Sequence, residues 1–520
     1  MININDNGKL LMHHWSKCVG AGRASEGLRA AWQNQIKIAV KECGFEYIRF
    51  HGLFNDDMFV YRIIDGEEVY NFQYIDDLFD ALLDIGIRPF VELSFMPYDM
   101  ASGDKTFMWW KGNATPPKNW SLWAELVTKF IVHIIDRHGI SEVKKWYFEV
   151  WNEANLGHVF WSGGKSEYFK MYEVTVSAIK AINRELKVGG PATSNFVPDD
   201  RFAGEAEDKS KHITHKSEDI DELQWRPVWM EDFEMFCRDR NLPVDFFSTH
   251  PYPTDFALDA NGVTTGRSRS INSTYVDLKC MRDFVDKSAY KEAEIHLTEW
   301  NSSPTPRDLS HDYTAEAAFI VKSNIESTGL ADSLSYWTFT DIFEEKGAGN
   351  KAFHGGFGMI NYQGIKKPAY HAYRFLNNLG ITEIARGDNY IVTKNADEKC
   401  SILAYNYESD TIKTAVPMAK TYREAEKIVG QGKERFLNIE VQGFKAGAMF
   451  SVETASESSG CAMGLYADIG YPSSLTPEQI RILKSASENL KTEIVKADED
   501  GVLRIDRTMA PWEITLIKEM

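Results

Sequence analysis

Two segments carry residues able to do chemistry together. One reads KKWYFEVWNEANLGHVFW over residues 144–161, the other EIHLTEWNSS over 294–303. Each delivers a glutamate just past an apolar run, Glu153 in the first and Glu299 in the second. Two carboxylates facing each other across a cleft can act as proton donor and nucleophile at a glycosidic carbon. Mutual repulsion and partial burial would raise the pKa of the donor and keep it protonated near neutrality. Glu149 is the rival to Glu153. It lies inside the run, and so reads as a deeper carboxylate with partners of its own.

The flanking residues suit sugars. Asn152 adjoins Glu153 and can hydrogen-bond a ring hydroxyl beside the scissile bond. Trp109, Trp110, Trp151, Trp161, Trp300 and Trp337 stand near segment ends, where flat faces could meet pyranose C–H groups; any one of them alone reads as core. His51, His250 and Tyr252 add neutral donors. No HExxH or comparable ligand cluster occurs, so no metal is expected. The glycines of GAGRASEG, residues 20–27, lack the third glycine of a dinucleotide fingerprint, and no dinucleotide site is expected there.

The elements that must position these residues alternate. Short β-branched or aromatic runs at 17–20, 47–52, 88–95, 146–151, 188–190, 244–250, 294–300 and 334–340 are each followed by a helical pattern. Strands alternating with helices predict a parallel sheet, and eight units suit a (β/α)8 barrel over about 13–380. The candidate residues then fall at the C-terminal strand ends, where barrel enzymes build their sites. After 380 the runs shorten and alternate, as in a β-sandwich over 381–520 joined by residues 1–12. A helical insertion at about 460–492 includes a helix capped by Thr476. The charged stretch 195–224 leaves the fifth strand on the site face and reads equally as functional loop or solvated surface.

Composition narrows the class. Across 520 residues, 76 acidic against 58 basic side chains give a formal charge of −18, which repels phosphate backbones and anionic membranes. Neither nucleic acid nor membrane is expected as a partner, and no apolar run approaches a membrane span. Six scattered cysteines without a CxxC pair read as reduced, buried thiols. The N-terminus has no basic region followed by an apolar one, so the chain reads as cytoplasmic as it stands, and as periplasmic or secreted if a signal peptide was trimmed.

YIRFHGLFNDDM (47–58), FEVWNEANL (148–156), HLTEWNSS (296–303) and SYWTFTDIFEEKGAGNKAFHGGFG (335–358) closely resemble glycoside hydrolase family 39, as do WSKCVGAGRASEGLR and KGNATPPKNW. That family holds β-xylosidases and α-L-iduronidases. The resemblance implies a cofactor-independent, retaining exo-hydrolase that releases terminal β-D-xylose from xylo-oligosaccharides, with a small glycoside as its partner and a tetramer as its assembly. It implies Glu153 as acid/base, Glu299 as nucleophile and Asn152 as the holder of the 2-hydroxyl. His51, His250, Tyr252, Trp337 and Glu345 would line the glycone pocket, with Glu344 the rival to Glu345 and Arg49 supporting the nucleophile. Ala154 departs from the proline usual after the acid/base, and Trp300 from the tyrosine usual after the nucleophile. α-L-Arabinopyranoside or α-L-iduronide substrates, and a non-catalytic carbohydrate-binding role, stay open as alternatives.

Overall fold

The computed structural model describes residues 1–212, 223–255, 267–407 and 418–520. Eight strands form a closed barrel: β1 (Cys18–Arg23), β2 (Tyr47–His51), β3 (Arg88–Leu93), β4 (Tyr147–Val150), β5 (Lys187–Ser194), β6 (Phe246–His250), β7 (Glu294–Trp300) and β8 (Ser333–Tyr336). All neighbours pair in parallel, and β8 closes onto β1 through Tyr336 and Val19. Helices α1 (Ala30–Cys43), α2 (Gln73–Ile85), α3 (Trp120–His138), α4 (Lys165–Ile182), α5 (Met230–Asp239), α6 (Ser273–Lys287), α7 (Thr314–Glu326) and α8 (Pro368–Asn377) follow the strands in turn. Local chemistry ends several of them. Gly44 and Gly86 take left-handed backbone at the ends of α1 and α2, where a side chain would be strained. In α2 the buried stripe is Ile75, Leu78, Phe79 and Leu82, at helical spacing.

The fifth strand is longer than the run 188–190 suggests. It continues through Gly189, Gly190 and Pro191 to Ser194, with a register shift between Pro191 and Thr193 against β6. Glycine and proline hide this strand from a reading by β-propensity. The shift carries Ser194 up to the level of His250.

Beyond the barrel, an antiparallel seven-stranded sheet stacks on a three-stranded one. The N-terminus joins both: Lys9–Leu10 pairs with Thr382–Gly387, and Ile2–Asn3 with Arg435–Gln442. Alternation along the larger sheet sorts its side chains. Val392, Ile402 and Ile517 face the smaller sheet, whereas Ile391, Leu403 and Leu516 belong to the core shared with the barrel. The helix Pro477–Glu488 starts at Thr476, whose hydroxyl accepts from the Gln479 N–H while Gln479 accepts from the Thr476 N–H. Among the described residues no helix is long and apolar enough to cross a membrane. All six cysteines are free, five of them buried.

Candidate active site

Inward-facing side chains stack in layers along the barrel. At its floor Cys18, Tyr47, Phe90, Tyr147 and Phe246 form an apolar plug, with Phe90 and Tyr147 stacked 4.8 Å apart. Two residues further along β2, β3 and β4 stand Arg49, Glu92 and Glu149, and two further along β2 and β6 lie His51 and His250. The plug seals the charged layers from solvent below.

Arg49 is fully buried and organises the middle layer. Its Nε donates to Glu149 Oε2 at 2.7 Å and its Nη1 to Glu299 Oε1 at 2.7 Å. Nη2 donates to Asn152 Oδ1 at 2.8 Å and lies 2.7 Å from Glu92 Oε2. A planar guanidinium with five donors can serve three carboxylates and an amide oxygen at once; an ammonium has only three donors for these four partners.

Glu153 and Glu299 reach the site by different devices. Glu153 follows β4 in a turn where Trp151 and Glu153 both have left-handed backbone, φ 68° and 44°. Hydrogen bonds hold that strained turn: the Glu153 N–H donates to the Ala192 carbonyl, and the Leu156 N–H to the Glu153 carbonyl, each at 2.9 Å. Ala154 is buried within it. Glu299 lies inside β7, directly after Thr298, so strict alternation would aim the two to opposite faces. A register shift between Leu297 and Trp300 against β8 lets both turn inward. An oxygen of each glutamate and a ring nitrogen of His250 then lie within 4.8 Å of one another.

The pair opens on a cavity of about 740 Å³, lined also by His51, Tyr252, Trp337 and Glu345. Tyr252 Oη donates to Glu299 Oε2 at 3.0 Å, and His51 Nε2 is 3.3 Å from Glu299 Oε1. Burial pushes Glu153 up to about 7, against the opposing pull of Ser194, His51 and Arg49. Burial likewise lifts Glu345 to about 8, with Glu299 and Glu153 adding to the rise and His51 opposing it. The two histidines diverge. His51 resists the lowering effect of burial because Glu92, 2.6 Å from Nδ1, and Glu299 hold its pKa at about 9. Burial takes His250 down to about 4, the pull of Glu299 being opposed by Arg49 and His51.

Among the described residues Glu153, His250 and Glu299 are also the group best spaced to grip a cation. Glu299 Oε1 already faces Arg49, and the second nitrogen of His250 meets a hydroxyl. This donor set reads as an acid–base site.

The structure brings Glu153, Glu299, His51, Tyr252, Trp337 and Glu345 around one cavity, with Arg49 and Asn152 directly behind. His250, expected to line the pocket, is instead fully buried and backs Glu153, its Nδ1 2.9 Å from Glu153 Oε1. Glu345 faces inward, its Oε1 3.8 Å from His51 Nε2. Glu344 turns away to Arg23 at 3.1 Å and Arg29 at 2.5 Å. Most of the tryptophans are not sugar platforms. Trp151, Trp161 and Trp300 are wholly buried among other rings, Trp110 packs on Phe95 and Phe107, and Trp109 is an exposed rim residue. Trp337 alone of the six lines the cavity. Gly20 makes room for it, since a Cβ there would sit 2.5 Å from the Trp337 ring.

Three participants escape the sequence reading. Glu92 and Thr298 are mid-strand residues whose parity matches Arg49 and Glu149; that parity was the available signal. The third is a clamp built from GAGRASEG. Glu26 accepts from the Arg23 N–H at 3.2 Å and the Glu344 N–H at 3.0 Å, while the Arg23 guanidinium meets Glu344 and Asp57 beside the rings of Trp109 and Trp110. It fixes the backbone next to Glu345. From the stretch 195–224, Asn195, Phe196, Phe202 and Lys209 reach the cavity wall, while 213–222 lie outside the described residues.

Comparison with known proteins agrees with this geometry. Residues 1–504 match the model of glycosyl hydrolases family 39. A β-xylosidase of Caldicellulosiruptor saccharolyticus is 38% identical over 492 residues, covering 92% of this chain and 89% of that protein. A β-xylosidase of Geobacillus stearothermophilus is 33% identical over 535 residues, covering 100% and 95%. The solved GH39 enzyme of Xanthomonas axonopodis pv. citri superposes with a TM-score of 0.85 at 30% identity, covering 100% of this chain and 96% of that one. The chain therefore belongs to glycosyl hydrolases family 39 and is a glycoside hydrolase.

Proposed function

We propose that this family 39 hydrolase is a retaining β-D-xylosidase that removes terminal xylose from short xylo-oligosaccharides. The observation that carries the retaining mechanism is the approach of Glu153 and Glu299, with oxygens within 4.8 Å. Retaining glycosidases hold their carboxyl groups about 5–5.5 Å apart, whereas inverting ones leave about 6.5–9.5 Å for a water. Support for xylose comes from the two β-xylosidases that match across nearly the whole chain.

In this reading Glu299 attacks the anomeric carbon while Glu153 gives its proton to the departing oxygen. A covalent glycosyl-enzyme forms, and Glu153, now a carboxylate, takes a proton from water, which releases the sugar with its configuration retained. Arg49 and Tyr252 donate to the two oxygens of Glu299 and so fix the nucleophile's orientation. Asn152 is suited to the 2-hydroxyl: its Oδ1 is held by Arg49, and its buried Nδ2 has no hydrogen-bond partner among the described residues. His51, Tyr252, Trp337 and Glu345 would enclose the glycone. A cavity of about 740 Å³ accommodates a sugar and a short leaving group.

The test is a panel of aryl glycosides: β-xyloside beside α-L-arabinopyranoside, α-L-iduronide and β-glucoside, with Glu299→Ala as blank. Turnover of the β-xyloside that vanishes in the blank is expected, with β-xylose as the first product by NMR. Turnover of another glycoside in its place would overturn the specificity. Release of α-xylose would overturn the mechanism.

A further inference from the structure

Behind Glu153 runs a chain of hydrogen bonds whose direction can be read from donor and acceptor chemistry alone. It begins at Glu149, the mid-barrel carboxylate. Glu149 Oε2 accepts from Arg49 Nε at 2.7 Å, and its Oε1 accepts from the Thr298 hydroxyl at 2.7 Å. A carboxylate gripped by a guanidinium has no proton to give, so the single hydroxyl proton of Thr298 is committed to it. The next contact is His250 Nε2 to Thr298 Oγ1 at 2.9 Å. With its proton committed, Thr298 can only accept there, so Nε2 carries hydrogen. That leaves Nδ1 as the one basic atom of a buried ring, and Nδ1 lies 2.9 Å from Glu153 Oε1.

We propose that Thr298 and Glu149 are positioning residues that fix His250 as its Nε2–H tautomer, so that its bare Nδ1 accepts a hydrogen bond from Glu153 and keeps that carboxyl protonated. The inference rests on the assignment of Glu153 as the acid/base. One proton is shared in the contact: Glu153 Oε1–H donates to Nδ1, with no charge on either group. When Glu153 passes this proton to the departing oxygen, its carboxylate faces a nitrogen lone pair. That repulsion strengthens Glu153 as the base that must next take a proton from water. The groups facing the Glu153–His250 pair are Glu149, Thr298 and Glu299 from β4 and β7, Arg49 and His51 from β2, Glu92 from β3, Tyr252 after β6, Ser194 on β5, and Glu345 across the cavity. None of them except Thr298 offers Nε2 an acceptor. The arrangement explains why a polar residue and a carboxylate lie buried beneath the reacting groups without touching the cavity.

Nitrogen-15 NMR of histidine-labelled protein, with His250→Asn to assign the signal, reads the tautomer without reference to activity. At pH 6.5 the expected state is Nε2 protonated and Nδ1 bare. Nδ1–H with bare Nε2, or an imidazolium, would overturn the proposal. Thr298→Val removes the acceptor with little change of shape, so the ring is expected to shift its proton to Nδ1; Thr298→Ser restores the hydroxyl and the original state. The kinetic readout is the alkaline limb of kcat/KM on an alkyl β-D-xyloside, whose alkoxide cannot leave unprotonated. It is expected to move by one pH unit or more toward acid in Thr298→Val and to return in Thr298→Ser. An unmoved limb in a folded Thr298→Val protein would refute the relay. Failure of the wild-type protein to hydrolyse any β-xyloside would refute the substrate reading instead, and the tautomer measurement would still decide the relay.

Discussion

Glu153→Gln should make the protein more stable and a worse catalyst, with both effects depending on pH. In the folded chain burial raises this carboxyl from 4.5 to about 7. Below pH 4.5 the group is neutral in both the folded and the unfolded chain and contributes nothing to the difference between them. Between pH 4.5 and about 7 the unfolded chain has released its proton while the folded chain retains it, so stability falls as pH rises. Above about 7 the loss is complete. At 1.36 kcal/mol for each pH unit between the two pKa values it amounts to about 3 kcal/mol. Glutamine has the same shape, carries no charge, and can still donate to His250 Nδ1, so it should recover that loss. With an unfolding entropy of about 2.1 cal/mol/K per residue, 520 residues give about 1.1 kcal/mol/K, and the gain in Tm is about 3 °C. The assay is thermal unfolding of both proteins at pH 4.5 and pH 8.5. Equal midpoints at the lower pH and a more stable variant at the higher one are expected. A gain of the same size at both pH values, or none at pH 8.5, would refute the reasoning that burial of an ionisable Glu153 strains the native state. In activity, loss of the general acid should lower kcat/KM on an alkyl xyloside about 10²–10⁴-fold, while an activated aryl xyloside, which leaves without a proton, should lose far less in its first step.

Other consequences can be checked separately. Glu299→Gln should abolish turnover of alkyl and aryl xylosides alike, because in the proposed mechanism both need Glu299 as nucleophile; residual aryl turnover above a mock preparation would count against the assignment. Arg49→Lys should strip fixed partners from the buried carboxylates Glu92, Glu149 and Glu299, which Arg49 holds at 2.7 Å each, and should destabilise the fold by about 3 kcal/mol or more, measured as a lower denaturation midpoint. Glu26→Gln leaves one of the Arg23 and Glu344 N–H groups facing an amide nitrogen, loosening the backbone beside Glu345. It should raise KM for an aryl xyloside about fivefold or more with kcat little changed. An unaltered KM would show that the rim clamp does not position Glu345.

The barrel is legible in the sequence because its signals are local. Alternation of apolar runs with helical stripes, glycines past Cys43 and Ile85, and threonine before the helix at Pro477 each act within a few residues. The site is legible to the extent that it lies at strand ends: Glu153, Glu299, His51 and His250 stand where a parallel barrel presents its functional groups. What escapes are features set by contacts across the chain. Nothing local says that Glu299 shares a face with Thr298, since the shift that allows it arises from pairing with β8. Nothing within GAGRASEG says that Glu26 will hold Glu344, a residue 318 positions away, and so decide which of two adjacent glutamates faces the cavity. Tryptophan misleads for a related reason. A ring at a strand end serves equally to fill space between barrel and helices, and only the neighbours supplied by the fold distinguish Trp300, stacked on Phe319, from Trp337, bordering the cavity.

Strand parity is the one sequence feature that reaches across these distances. Arg49, Glu92, Glu149 and Thr298 come from four strands, yet each stands two residues beyond an inward-facing floor residue: Tyr47, Phe90, Tyr147 and His296. Burying the carboxylates of Glu92 and Glu149 in one layer is unfavourable unless a cation and donors are paired to them there, and parity is what guarantees that Arg49 arrives in the same layer. Parity taken layer by layer across the barrel, instead of strand by strand, therefore groups Glu92 and Thr298 with the reacting residues. What parity cannot supply is the polarity of the resulting hydrogen bonds. That follows from Arg49, which makes Glu149 an acceptor at both oxygens and thereby orients Thr298, His250 and Glu153 in turn.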